Sequence, residues 1–386
     1  MHYSLHVTDA CNLSCAYCGR KKPPISMSRE TAHQAVDLAL ADPDSSIGIG
    51  FFGGEPLLCK DLITDIVAYT NANAPAAKKI SYRLTTNGLL LDDTFLNYAR
   101  REGILISISL DGHKEAHDTN RQTHAGQGSY DAILPILPKL LNHNPYTAAL
   151  MTVAPNTTTF LADSVRSIYA QGFVNIICTL DYSAPWTEND LATLNKNYRK
   201  LADTYYEFTL SEKKFFFSPF DGKIDSHVNR EEYCAERCKL GFEQISVGTD
   251  GTLYPCTQFV DDKDYQIGDV AAGIDQQRRQ EIYDLSRAEH PQCRECALRD
   301  RCLHTCSCVN KYTTGHITEP SPVLCAVERM LIPIVDNVAA RLYKKRSGMF
   351  IQKHYNELYP LVSLIEDAGE TTRYEDKKTQ NMNPEV

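Results

Sequence analysis

Residues 3–18 read Tyr3-Ser4-Leu5-His6-Val7-Thr8-Asp9-Ala10-Cys11-Asn12-Leu13-Ser14-Cys15-Ala16-Tyr17-Cys18. The alternating run Tyr3 to Thr8 has the period of a strand, and three thiols spaced C-x3-C-x2-C follow it directly. Soft sulfur ligands at this density suit zinc or an iron-sulfur cluster. Three thiolates are one ligand short of a closed tetrahedral site, and the neighbourhood offers no fourth, so an iron held here keeps one position for something else. A zinc knuckle that borrows a distant Cys or His is the competing use of the same thiols.

Working outward, strand-like runs recur at Ile47 to Phe52, Ile80 to Thr86, Leu105 to Leu110, Ala148 to Val153 and Val174 to Leu180. Between them lie amphipathic segments, Ser28 to Leu40 with Ser28 as N-cap, Leu58 to Asn71, Asp92 to Arg101, Tyr130 to Asn142 and Leu161 to Gln171. Strands alternating with helices predict an α/β fold with a parallel sheet of right-handed crossovers, whose sites sit at the carboxyl ends of the strands. Residues 184–213 read as a linker helix leading to Phe215-Phe216-Phe217. These rings read as core, with a substrate channel lined by Tyr205, Tyr206 and Phe215 to Phe217 as the alternative.

Bulk properties narrow the class. A chain of 386 residues with 42% hydrophobic content can bury one large core and a smaller unit, and a net charge of -9 leaves no basic footprint for nucleic acid. The first ten residues lack a secretory pattern and no stretch is long and apolar enough for a membrane span, so the expectation is a cytoplasmic protein. In a reducing compartment fourteen cysteines point to metal rather than disulfides.

They cluster at 11–18 and again at 234–325. The second group reads Cys234, Cys238, twelve residues, Gly251, four residues, Cys256, then Cys293-x2-Cys296-x5-Cys302-x3-Cys306, Cys308 and Cys325. With a hairpin at Val247 to Leu253, this suits a small loop-rich unit in which metal replaces a missing core, and two zinc ions would satisfy the same count. Cys59 and Cys178 read as ordinary buried thiols. The helical pattern Val327 to Tyr343 ends in basic residues, and residues 368–386 are polar enough to be a disordered tail.

Cys11, Cys15 and Cys18, with Tyr17 before the third thiol, resemble the signature of the radical S-adenosylmethionine (radical SAM) enzymes, whose fold is a partial (β/α)6 TIM-like barrel. The resemblance implies a 4Fe-4S cluster on these thiolates, with SAM on the open iron and a 5'-deoxyadenosyl radical as the reactive species. It extends to Gly53-Gly54-Glu55-Pro56, similar to the motif that holds the SAM amino group, and to Thr86 and Asn87 at the end of the third strand. Ser109 and Arg121, in Ser-Leu-Asp-Gly with its downstream His-Asp-x3-Arg, are similar to the SAM ribose and carboxylate contacts of the sulfatase-maturating and peptide-modifying branch.

The late cysteines resemble a SPASM domain with two auxiliary 4Fe-4S clusters. By position, Cys238, Cys256, Cys306 and Cys234 hold the first, with Cys308 as rival for the fourth place. Cys293, Cys296, Cys302 and Cys325 hold the second. The expected organisation is a barrel with linker helix over 1–213, a SPASM domain over 214–330, C-terminal helices over 331–367 and the tail. The resemblance implies a maturase of ribosomally made peptides that forms a thioether or other side-chain cross-link, with an electron donor such as flavodoxin or ferredoxin. The cluster triplet begins at Cys11, so the expectation is a chain without a leader-binding module before the barrel, in which a separate partner protein or the barrel itself recognises the peptide. The sulfatase-maturating branch, which makes formylglycine, carries an Asp after the hairpin-end Cys as base. Here Thr257 follows Cys256 and has no usable basicity, with Asp261 and Asp262 as nearby substitutes. The reading from another class is a colourless zinc scaffold.

Overall fold

The computed structural model describes residues 1–228 and 238–364, so Cys234 and the tail lie outside the described residues. Six βα units are present. Strands β1 (His2–Thr8), β2 (Ser46–Gly53), β3 (Lys79–Thr86), β4 (Ile104–Ser109), β5 (Ala148–Val153) and β6 (Asn175–Leu180) pair in parallel in that order. Leu5, His6, Val7 and Thr8 are all buried, as a parallel strand covered on both faces requires.

Helix α1 (Arg29–Ala41) starts where Ser28 accepts a hydrogen bond from the Thr31 amide at 3.0 Å, satisfying one orphan donor of its first turn. After α2 (Lys60–Asn73), helix α3 (Asp93–Arg101) is capped the same way by Asp92, 2.7 Å from the Phe95 amide. A short helix α4 (Lys114–Asn120) follows β4. The single helix expected over Tyr130 to Asn142 is instead two short pieces, Tyr130–Ile133 and Leu137–His143. Pro135 and Pro138 lack the amide a continuous helix needs and restrict the residues before them.

The sheet does not stop at six strands. Phe216–Phe217 adds a seventh, β7, beside β6, and Gln244–Val247, β8, pairs in parallel with β1 from the other edge. Leu253–Tyr254, β9, closes the expected hairpin onto β8. The nine-stranded order is therefore β7-β6-β5-β4-β3-β2-β1-β8-β9, and the first late-cysteine loops hang on the strand that delivers Cys11. The sheet thus continues past residue 213, and the helical pattern read over Val327 to Tyr343 belongs to one helix, Pro322–Lys344, its buried stripe running from Leu324 to Leu342.

Tyr205, Phe215 and Phe217 face the core, which rules out the channel reading for them. Phe215 packs edge-on against Tyr169 and Phe208, and the Tyr205 hydroxyl donates to Asp221 at 2.7 Å. Tyr206 lies under the Arg341 guanidinium, 4.0 Å from its ring centroid. No helix of the described residues is long and apolar enough to cross a membrane.

Candidate active site

At the carboxyl ends of β1 to β4 lies a cavity of about 150 Å³, open to solvent. Its wall contains Cys11, Cys15, Cys18 and Tyr17 from the loop after β1, Gly53, Gly54 and Glu55 after β2, Thr86 and Asn87 after β3, and Ser109 and Arg121 from the fourth unit. Every cofactor-contact residue read from the first half of the sequence thus reaches one wall, together with Arg20 and Lys22, which the sequence reading missed.

The thiol loop is held by its backbone. Ser14 donates to the Gln122 carbonyl at 2.7 Å, Ala16 to Asn120 at 2.8 Å, and Leu13 bridges to Thr123, so the chain after α4 acts as a splint. Gly53 sits at φ +124°, and a Cβ there would stand 2.2 Å from the Thr8 carbonyl oxygen; one on Gly54 would stand 2.0 Å from that of Ala10. The paired glycines therefore let the loop after β2 press against the chain leading to Cys11.

Glu55 is buried and accepts from Thr86 Oγ1 at 2.7 Å, Asn87 N at 2.8 Å and Leu57 N at 3.1 Å. Burial pushes its carboxyl up while those three bonds oppose the shift. The carboxylate thus clamps the end of β3 to that of β2. Asn87 Nδ2 in turn donates to Asn12 Oδ1 at 2.7 Å, inside the thiol loop. Burial also pushes the Cys11 and Cys15 thiols up, against the Lys22 charge at both and Arg121 at Cys15.

The fourth unit carries a buried polar knot. Arg121 directs Nε and Nη2 onto Asp111 at 2.8 and 3.0 Å, and Asp111 also accepts from the Tyr17 hydroxyl at 2.7 Å and the Thr152 amide at 2.9 Å. The fork that the sequence reading directed at a SAM carboxylate is thus turned onto protein, and only Nη1 lies outside it. Lys22, whose Nζ donates to the Leu13 carbonyl at 2.8 Å, is a second cation on the same wall. Arg20 spans His6 at 2.7 Å, Asp9 at 3.1 Å and Asp261 at 3.4 Å, tying the cavity to the segment after β9. Asp262 instead pairs with Lys311.

His117 supports the knot from behind. The Asp111 amide donates to its Nδ1 at 3.4 Å, and its Nε2 lies 2.9 Å from Ser129 Oγ, whose hydroxyl donates to the Arg121 carbonyl. This requires the neutral ring, protonated on Nε2. Burial, then the Arg121 charge, depress its pKa to about 4. The unfolded chain, with histidine near 6.5, therefore binds the extra proton between those values, so stability is full above about pH 6.5 and falls as pH drops towards 4. We expect a loss of up to about 3 kcal/mol across this window. Chemical denaturation at pH 7 and pH 4.5 should show a clearly smaller drop in His117→Gln than in the parent.

The late cysteines form two sets. Cys306 and Cys308 have sulfurs 3.6 Å apart, Cys256 lies in the field of Cys306, and Cys238 lies in the field of both Cys256 and Cys306. Cys293 adjoins Cys296 and Cys325, while Arg329 donates to Cys325 Sγ at 3.4 Å and faces Cys296 and Cys302. The half-buried Tyr182 feels charge from both sets, from Cys306 of one and Cys302 of the other. Among the described residues no three His, Cys, Asp or Glu side chains close around a single metal ion. Cys59 and Cys178 stand apart, near Ser26 and Ser218 respectively.

A barrel whose first βα loop presents three thiols to a glycine-lined cavity defines a cofactor-dependent enzyme of the α/β-barrel class. Residues 5–159 match the family profile of the Radical SAM superfamily: this part of the chain is a radical SAM domain, and the protein is an enzyme of that kind. With that domain come a 4Fe-4S cluster and SAM, and the thiols, cations and glycine backbone of the cavity are a donor set that fits both. The chain is 24% identical over 330 residues to the cysteine-type anaerobic sulfatase-maturating enzyme of Clostridium perfringens, covering 78% of this chain and 86% of that one. It is 22% identical over 337 residues to the antilisterial bacteriocin subtilosin biosynthesis protein AlbA of Bacillus subtilis, covering 82% and 68%. The solved structure of native anSMEcpe with bound AdoMet superimposes with a TM-score of 0.77 at 20% identity, over 89% of this chain and all of that one, and so shares the fold.

Proposed function

We propose that the protein matures a ribosomally made peptide, joining a carbon of one residue to a thiol sulfur or another side chain. Cys11, Cys15 and Cys18 hold the SAM-binding cluster, while Tyr17, Gly53, Gly54, Glu55, Thr86, Asn87, Ser109 and Arg121 shape the SAM site. A SPASM domain with two auxiliary clusters follows the barrel, using Cys238, Cys256 and Cys306 for one and Cys293, Cys296, Cys302 and Cys325 for the other. When bound, the first cluster and SAM supply the 5'-deoxyadenosyl radical that removes a substrate hydrogen. The substrate thiol gives up its proton as the new bond closes, and the electron released in that step would need an acceptor, the chemistry that clusters held by the late cysteines would supply. The peptide loses two hydrogens in all.

One observation favours cross-linking over formylglycine formation. The residue after Cys256 is Thr257, and the carboxylates that follow are held by cations, Asp261 by Arg20 and Asp262 by Lys311. A general base for an aldehyde-forming route is therefore missing from the position that route uses. The relationship to a bacteriocin biosynthesis protein supports a peptide substrate. An electron donor of the flavodoxin or ferredoxin type completes the cycle.

The test is a search beside the gene for a short reading frame encoding a Cys-rich or aromatic-rich peptide, its co-expression with the protein, and mass spectrometry of the product. A peptide lighter by two hydrogens, with one thiol no longer alkylated, supports the reading. An aldehyde in place of a thiol, with no cross-link, assigns the sulfatase-type reaction instead.

A further inference from the structure

The resemblance to radical SAM enzymes assigns the SAM carboxylate to Arg121, but this side chain is engaged elsewhere. It is buried, and its Nε and Nη2 lie on Asp111, so the pair is charge-neutral before any ligand arrives. Arg20, the second cation of the cavity wall, is likewise matched, by Asp9 at 3.1 Å and Asp261 at 3.4 Å. Lys22 is the third. Among the described residues its Nζ has one hydrogen-bond acceptor, the Leu13 carbonyl at 2.8 Å, and no carboxylate partner. We propose that Lys22 receives the carboxylate of SAM, its ammonium supplying the positive charge that Asp111 already neutralises on Arg121.

The placement follows from the thiol loop. Leu13 stands midway between Cys11 and Cys15 in the chain, so the bond to its carbonyl holds Nζ beside the segment that carries both thiols. An ammonium has three donors and this bond uses one, which leaves two for an acceptor in the cavity. Lysine is a compact charge on a flexible stem and meets a carboxylate without the fixed fork that Asp111 already occupies on Arg121. Half-buried on the wall, it is less screened than a surface lysine would be.

A second feature of the wall points to the same ligand chemistry. Cys11 lies in the field of Lys22 and also in that of Glu55, so opposite charges flank one thiol. Such a pair suits the two ends of an amino acid, with Glu55 on the side of the ammonium and Lys22 on that of the carboxylate. The inference rests on the reading of Cys11, Cys15 and Cys18 as ligands of the SAM-binding cluster, and it deepens that reading by naming which residue of this chain recognises the acid group.

The experiment uses the full-length protein reconstituted without oxygen and kept oxidised, so that SAM is bound and not cleaved. The parent is compared with Lys22→Met and Lys22→Arg. Iron and sulfide per chain are measured first, then dissociation constants by equilibrium dialysis for SAM and for its carboxamide analogue, in which a neutral amide replaces the carboxylate. The inference expects unchanged iron and sulfide, SAM binding weaker by about 10- to 100-fold in Lys22→Met, and most of that loss recovered in Lys22→Arg. The carboxamide should bind the parent and Lys22→Met nearly alike. Unchanged SAM affinity in Lys22→Met leaves the carboxylate to Nη1 of Arg121 and overturns the inference. Equal weakening of both ligands, or loss of iron, makes Lys22 a brace for the thiol loop through Leu13 and overturns it as well. Parent protein that takes up no iron, or iron but no SAM, sinks the reading of the thiol triplet itself.

Discussion

Alanine at Cys11, Cys15 or Cys18 is expected to bring release of 5'-deoxyadenosine from SAM to background while the protein stays folded. The thiols are half-buried on a cavity wall, not in the core, and their loop is held by backbone bonds to Asn120 and Gln122 and by the Leu13 to Thr123 bridge. Each substitution removes one sulfur, so in the cluster-free protein the cost in stability stays within roughly 1 kcal/mol, the usual range away from packed cores. The chemical cost is of another order, because two thiolates do not retain the cluster, and SAM then has no iron to bind. Chromatographic detection of 5'-deoxyadenosine, with iron content and a thermal melt on the same sample, checks each part. Iron should fall by one cluster's worth, and the late thiol sets should keep theirs. Turnover at the parent's rate in any of the three variants would remove the thiol triplet from the chemistry.

The reason so much of this site is legible in the sequence is that it lies on local features. The strand period of Tyr3 to Thr8 places Cys11 at a carboxyl end, and the glycine pair is confined to glycine by two carbonyl oxygens. Crossovers between neighbouring parallel strands need only the alternation of patterns. What escapes is what depends on pairing at a distance. β8 joins β1 across more than two hundred residues of chain, and Arg20 meets Asp261 across a similar gap, with no periodicity to announce either. Asp111 stands in the quoted Ser-Leu-Asp-Gly turn, yet its four acceptor contacts come from Tyr17, Arg121 and Thr152, which only folding assembles. The two prolines that split residues 130–142 were readable from their missing amides, and the apolar spacing around them hid that signal.

Asp111 is where those distant contacts converge, and its removal should be the most damaging single change outside the thiols. Burial works against the Arg121 charge, and the Asp111 carboxylate outweighs it. Asp111→Ala leaves that guanidinium buried without its counter-charge and strips the Tyr17 hydroxyl and the Thr152 amide of their acceptor. Breaking one side of a buried ion pair costs about 3–5 kcal/mol, whereas replacing both partners by apolar groups often costs much less. The expected order of stability is therefore the parent, then Asp111→Leu with Arg121→Met, then Asp111→Ala, as measured by denaturant midpoints. Activity should order differently. Tyr17 stands next to Cys18, so loss of its anchor loosens the thiol loop in either variant, and SAM cleavage should fall in the double variant despite its recovered stability. A double variant that is stable and fully active would show that the knot serves folding alone; a stable and slow one, matched by an equally slow Tyr17→Phe with Arg121 intact, shows that the same carboxylate holding Arg121 in the core also holds Tyr17, and through it the thiol loop, at the cavity.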